Sequence, residues 1–238
     1  MKKILKEIKQ LIIDCLFPNI CGFCEKNLEK NDYNFGLCQI CFKKIEIFDF
    51  FSCGKCDARL PDNKKICHQE LKYILGSAST FKNEIIQKLI KGLKYQRAQH
   101  FGLTIAEIIN IFINKTKFDF KNYIIIPIPI HKSKEKIRGF NQTELIGEHL
   151  SKLTGLKMTK NCLIKSKNTK SQTETENHEE RARNIKDSFL VKNNETIKNQ
   201  NIILLDDVST SGATLTEASV ILKNAGVKNI IAIVLAKA

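Results

Sequence analysis

The sequence predicts an α/β protein, a doubly wound and mostly parallel sheet preceded by a small cysteine-rich module. Three observations carry this. Residues 123–126 and 202–205 are consecutive apolar runs without the polar alternation of a half-exposed strand, as in strands covered on both faces, and a further strand pattern lies at 227–236. Helical patterns separate these strands, as crossovers between parallel neighbours require. Seven of the nine cysteines fall between Cys21 and Cys67, ahead of that alternation.

At 238 residues the chain has room for one large domain, or for one ordinary domain with a small module. The net charge of +14 suits an anionic partner, yet lysine dominates the basic residues and asparagine and isoleucine also abound. Such a compositional drift raises charge without selecting a partner, so charge alone fits an anionic substrate and does not establish nucleic-acid binding. No stretch is long or apolar enough to span a membrane, so stable insertion is not expected.

Residues 1–17 pattern as an amphipathic helix, with Ile4, Leu5, Ile8, Leu11, Ile12 and Cys15 on one face and Pro18 ending it. Lys6, Glu7, Lys9 and Asp14 interrupt any signal-peptide core, and a cytoplasmic protein is expected. Core packing is the first use of that apolar face, and contact with the inner face of a membrane through the opposite lysines is the second.

From 18 to 70 the chain reads as a metal-binding module. Cys21-x-x-Cys24, Cys38-x-x-Cys41 and Cys53-x-x-Cys56 have the spacing that lets one turn present two thiolates to tetrahedral Zn²⁺, and two such turns complete a structural, zinc-ribbon-like site. The most economical set is Cys21, Cys24, Cys38 and Cys41. A second set has Cys53, Cys56 and Cys67, with His68 or Glu70 as fourth ligand. Interleaved pairing, with one zinc and some free thiols, is the other arrangement. A module this small buries little core, so metal would supply most of its folding energy.

Residues 71–238 form the larger domain. A strand is expected at 73–81, a helix at 85–93 ending in Lys91-Gly92-Leu93-Lys94-Tyr95, and a longer helix at 99–114 with Ile105, Ile108, Ile109 and Phe112 as its stripe. The strand at 123–126 stops at Pro127 and Pro129, since proline cannot donate into a central ladder. His131, Lys132, Lys134, Lys136 and Arg138 follow, and Gly139-Phe140-Asn141-Gln142 opens a helix to about 153. A rigid turn, a cluster of cations and a helix start make an anion site, with Lys132 and Lys134 suited to a solvated face and His131 to a structural role. Residues 165–183 are almost without apolar side chains, and a short strand follows at 189–191.

The strand at 202–205 runs directly into Asp206 and Asp207, then into Ser209, Thr210, Ser211, Gly212, Ala213 and Thr214. Leu215, Ala218, Leu222 and Ala225 mark one face of the next helix, and Gly226 closes it. Strand, short loop and helix aim backbone N–H groups and the positive end of a helix dipole at one point, where a phosphate fits. Gly212 lets the backbone approach an anion and the hydroxyls add donors. The two carboxylates suit ribose hydroxyls or Mg²⁺ held through water.

This stretch has neither a Walker A loop nor three spaced glycines. It resembles the 5-phosphoribosyl-1-pyrophosphate (PRPP) motif of type I phosphoribosyltransferases. That resemblance implies that Asp206 and Asp207 hold the ribose hydroxyls at the reacting centre, that the loop through Thr210, Ser211, Gly212, Ala213 and Thr214 takes the 5-phosphate with Ser209 beside it, and that Mg²⁺ accompanies PRPP. By position, Pro127, Ile128, Pro129, Lys136 and Arg138 would form the pyrophosphate loop. With Ile-Pro-Ile-Pro and Arg-Gly-Phe-Asn-Gln downstream of repeated Cys-x-x-Cys pairs, nearly the whole chain is similar to the ComF family of competence-associated proteins. In that family a polar stretch carries an early Gln and Arg-x-x-Asn before an aromatic. Gln172, Arg181, Asn184 and Phe189 match it here, although Thr175 stands where many such loops carry leucine. These residues are expected in a flexible loop that closes over the donor and excludes water.

The resemblance implies a cytoplasmic role in DNA uptake and natural transformation, handling incoming single-stranded DNA with PRPP as ligand or substrate. DNA-uptake or recombination-loading proteins are the further partners it suggests. A nucleobase salvage transferase and a PRPP sensor without turnover are the alternatives, and the lack of a base-reading stretch counts against the first.

Overall fold

The computed structural model describes residues 20–29, 36–61, 67–68, 70–167 and 187–238. Its elements in chain order are helix α1 (Gln39–Lys43), strands β1 (Phe51–Ser52), β2 (Arg59–Leu60) and β3 (Ile74–Thr80), helices α2 (Glu84–Tyr95) and α3 (Phe101–Thr116), and strand β4 (Tyr123–Pro127). Helices α4 (Lys132–Arg138) and α5 (Gln142–Thr154), strands β5 (Leu163–Lys165), β6 (Phe189–Val191) and β7 (Asn201–Ser209), helix α6 (Ala213–Asn224) and strand β8 (Asn229–Lys237) complete the order. The expected helix at 1–17 and the loop residues Gln172, Arg181 and Asn184 lie outside the described residues.

The apolar runs become the sheet centre. Its order is β2-β1-β3-β8-β7-β4, with β3, β8, β7 and β4 parallel. Alternate residues of β7 show that both faces are covered. Ile203 and Leu205 join the core beneath α2, α3 and α5, while Ile202 and Leu204 join the one beneath α6 and the β5–β6 pair. That two-sided burial explains the unbroken apolar pattern.

Local signals set the helix ends. Asn83 caps α2 by accepting from the backbone N–H groups of Ile85 and Ile86, at 3.0 and 3.3 Å. Asn141 caps α5 through Thr143 N–H at 3.1 Å. Gly226, at φ 89°, takes the left-handed residue after α6.

The cysteine-rich segment is built into this sheet rather than strung ahead of it. Strand β1 pairs antiparallel with both β2 and β3. The boundary expected at 70/71 therefore crosses a shared sheet and a shared core. Phe101 at the start of α3 is the main plug: a Cβ on Gly22 would lie 2.3 Å from its ring, and one on Gly92 2.5 Å. Only glycine fits at either place. Strand β7 also runs further than its apolar stretch, because β8 continues to pair with it through Ser209↔Lys237. Among the described residues no helix is long and apolar enough to cross a membrane.

Candidate functional site

Parallel neighbours end at the same edge, and ligands of open α/β sheets bind outside the carboxyl ends of the strands. Here β4 and β7 are those neighbours, in a register that sets Pro127 beside Leu205. The next residues of β7 are Asp206 and Asp207. A cavity of about 310 Å³ opens there, bounded by the ends of α2 and β7, the turn after β4, and α4. Residues of the two anion sites expected from the sequence therefore line one cavity.

Both carboxylates are nearly buried, Asp206 at 8% exposure and Asp207 at 3%. Asp206 Oδ1 accepts from the backbone N–H of Asp207, and Asp207 Oδ1 from that of Val208, each at 2.8 Å. Asp207 Oδ2 forms an ion pair with Lys94 Nζ at 2.8 Å. Burial works against the charge on Lys94, but Asp207 and then Asp206 outweigh it and hold the ammonium above its usual range. Burial, with Asp207 adding its repulsion, pushes Asp206 up to about 7. Lys165, in β5, is held below its usual range by burial and by Lys134.

Five cationic side chains, Lys91, Lys94, Lys134, Arg138 and Lys165, line this cavity with the two carboxylates. The excess of positive charge suits a ligand with several negative charges, and the carboxylates give it hydroxyl acceptors. The turn of Ile128 and Pro129 forms the far wall. It is held from behind: the Ile128 carbonyl accepts from Asn141 Nδ2 at 3.3 Å and from the Thr143 hydroxyl at 2.5 Å. Arg138 donates to Gln142 Oε1 and sits 5.9 Å from the Tyr95 ring centre. The Arg-Gly-Phe-Asn-Gln stretch thus braces the turn as well as supplying a cation.

On the near wall, Gly212 has φ 74° and Ser211 Oγ accepts from Ala213 N–H at 3.4 Å, at the start of α6. Thr210 and Thr214 line the cavity, while Ser209 Oγ is buried without a hydrogen-bond partner among the described residues.

Two corrections follow. The basic stretch after Pro129 is helix α4, and its turn brings Lys134 and Arg138 to the cavity, four residues apart. Lys136 is exposed and outside the lining, whereas Lys134 lines the cavity. His131 caps α4, its ring accepting from Ser133 N–H at 3.2 Å, in the structural role expected. Lys94 and Lys165 were not foreseen as site residues. For Lys94 a signal exists: it continues the Ile86 and Ile90 row at intervals of four, and a lysine on a buried row needs an anion.

The cysteines form the two compact groups expected. In Cys21, Cys24, Cys38 and Cys41, and again in Cys53, Cys56, Cys67 and His68, one donor atom of each residue lies within 4.8 Å of the others. Sulfurs of Cys24 and Cys38 are 3.7 Å apart, and those of Cys56 and Cys67 3.6 Å. A tetrahedral zinc with bonds of about 2.3 Å has edges of about 3.8 Å, so the donor sets fit such an ion. His68 Nδ1 lies 3.3 Å from Cys53 Sγ and 3.2 Å from Cys67 Sγ. Glu70, the other candidate, instead pairs with Lys55 at 2.5 Å.

The Asp206 environment makes a pH prediction. In the folded protein this carboxyl titrates at about 7, against 3.8 for an ordinary aspartate. The folded chain therefore holds a proton that the unfolded chain has released, and stability falls as pH rises through that window. The urea midpoint should drop between pH 5 and 7.5, and Asp206→Asn should remove part of the drop. Parallel profiles for wild type and variant would show that Asp206 is not the cause.

Comparison with known proteins gives concordant results. Residues 147–238, which include β7, the loop and α6, match the phosphoribosyl transferase domain. "Competence protein F" of Haemophilus influenzae is 29% identical over 88% of this chain and 93% of its own length. "Competence protein ComFC" of Bacillus subtilis is 35% identical over 46% of this chain and 45% of that protein. "DNA utilization protein YhgH" of Escherichia coli K12 is 20% identical over 87% of this chain and 92% of its own length.

Proposed function

Because the chain belongs to the ComF family, we propose that it binds PRPP with Mg²⁺ at the ends of β4 and β7 and serves DNA uptake by handling single-stranded DNA in the cytoplasm. One observation carries the ligand assignment: an acidic pair, hydroxyl residues at a helix start and five cationic side chains line one cavity. No simple anion needs that combination. The 5-phosphate would lie on the loop of Thr210, Ser211, Gly212, Ala213 and Thr214, the ribose hydroxyls at Asp206 and Asp207, and the pyrophosphate toward Arg138 and Lys134 beneath Ile128 and Pro129. Mg²⁺ supplies charge neutralisation to the pyrophosphate when bound.

The same arrangement suits loss of pyrophosphate from the ribose C1. Positive charge then develops beside two carboxylates that the fold already holds in place. Which acceptor attacks is a separate property, because the donor site does not specify it. Zinc in the two cysteine sets would be structural. Their ligands are all protein side chains, four in each set, which leaves no open position of the kind a catalytic zinc uses. The relatives' names, competence proteins and a DNA utilization protein, support the DNA side of the proposal.

Titration calorimetry tests it. PRPP with Mg²⁺ should bind saturably, and Asp206→Asn with Asp207→Asn should weaken binding at least a hundredfold while the protein stays folded. In the DNA arm, affinity for an oligo-dT should fall steeply with salt as counterions return to the backbone. Wild-type affinity in the double variant would refute the ligand assignment, and salt-independent DNA binding would refute phosphate contacts.

A further inference from the structure

The second cysteine group lies against the loop that the preceding reading gives to phosphate. Gly54 sits between the ligands Cys53 and Cys56, and a Cβ there would lie 2.7 Å from the Tyr73 hydroxyl oxygen and 2.8 Å from its ring. Tyr73 is 1% exposed, and its hydroxyl lies beside Thr216. The loop glycine meets the same hydroxyl: a Cβ on Gly212 would lie 3.0 Å from it and 3.3 Å from the Gly54 carbonyl oxygen. Gly54, the Tyr73 hydroxyl and Gly212 therefore meet with no slack, and close-packed contacts of this kind transmit displacement rather than absorb it.

A second connection runs through charge and backbone. Asp57, one residue past Cys56, pairs with Lys237. Lys237 is opposite Ser209 in the β7–β8 ladder, at the point where the loop begins, and Ala238 N–H donates to the Ser209 carbonyl at 2.9 Å. The knuckle thus holds the loop at its start and at its glycine.

We propose that the Cys53, Cys56, Cys67 and His68 group is a positioning element of the phosphate loop, so that a zinc-type metal bound there raises the protein's affinity for a phosphoribosyl ligand. This inference rests on the PRPP reading for its ligand and on geometry for its coupling. A metal held by these four side chains would fix the Cys53 to Cys56 turn, so that Gly54 and the Tyr73 hydroxyl back Gly212 and the loop amides keep their direction. Without it the turn would relax and the loop would lose that backing. The group also contains its own weak point, because Cys56 is exposed whereas Cys53 is buried.

The test uses the full chain, zinc-loaded, with PRPP and Mg²⁺ as probe. Cys56→Ser should lower bound zinc from two to one per chain by mass spectrometry and raise the PRPP Kd at least fivefold. Gly54→Ala should keep both metals and weaken PRPP to a similar extent, because it pushes Tyr73 onto the loop without touching a ligand. Hydrogen exchange supplies a ligand-free readout: amides of residues 209–214 should exchange at least tenfold faster in Cys56→Ser, with those of β4 unchanged. Wild-type PRPP affinity in both variants, or faster exchange spread evenly over the sheet, would overturn the coupling. Failure of the wild-type protein to bind PRPP would overturn the ligand reading, and the exchange measurement would then decide the coupling by itself.

Discussion

Lys94→Met is expected to cost about 3 kcal/mol of folding stability, because removing one partner of a buried ion pair strands the other charge. The pair is asymmetric: the side chain of Asp207 is 4% exposed and that of Lys94 20%. Asp207 has nowhere to go, whereas a lysine freed of its partner can extend toward the cavity. Asp207→Asn should therefore cost much less than Lys94→Met, and adding it to Lys94→Met should recover most of the loss. In a chain of this size the single variant should melt roughly 6–12 °C lower. Lys94 is also among the groups that lower the Asp206 pKa, so its loss should raise that carboxyl further and weaken PRPP binding at neutral pH. A double-mutant cycle by urea denaturation checks the stability claim. Additive costs would mean that the two side chains do not act as a pair.

Metal withdrawal should have a still larger effect. Apparent binding free energies at four-ligand structural zinc sites are of the order of 10 kcal/mol, comparable with the whole stability of a typical domain. A strong chelator under reducing conditions should unfold the segment from Cys21 to Leu60 and release Phe101 from its glycine-lined seat. Protease cutting within that segment and a collapse of the melting transition would record this. A chelated protein with two empty sites and an unchanged melting curve would show that apolar packing alone holds the segment.

The parts of this architecture legible in the sequence are those in which one residue type has one physical use. Fully apolar runs became two-faced parallel strands, Gly226 closed its helix, and the Cys-x-x-Cys spacing anticipated both donor groups. Asp206 and Asp207 were placed correctly at the sheet edge, although the ladder with β8 extends the strand beyond them. Lys94 stayed hidden because its partner is more than a hundred residues away and helix-forming lysines are common. Lys136 is expected by position in the resemblance, whereas helix α4 brings Lys134 and Arg138 to the cavity, because a helix decides which cations share a face. Strands β1 and β2 have two residues each, too short for any periodicity.

Those two short strands also affect the fate of the protein in a cell. Strand β3 carries seven residues, five of them buried, and β1 is the neighbour on its outer side. If the cysteine segment lets go, β3 becomes a bare edge with unpaired N–H and C=O groups, a template for strands of other molecules. Metal starvation would then act first through aggregation, lowering the amount of protein that survives before it alters what each surviving molecule can bind.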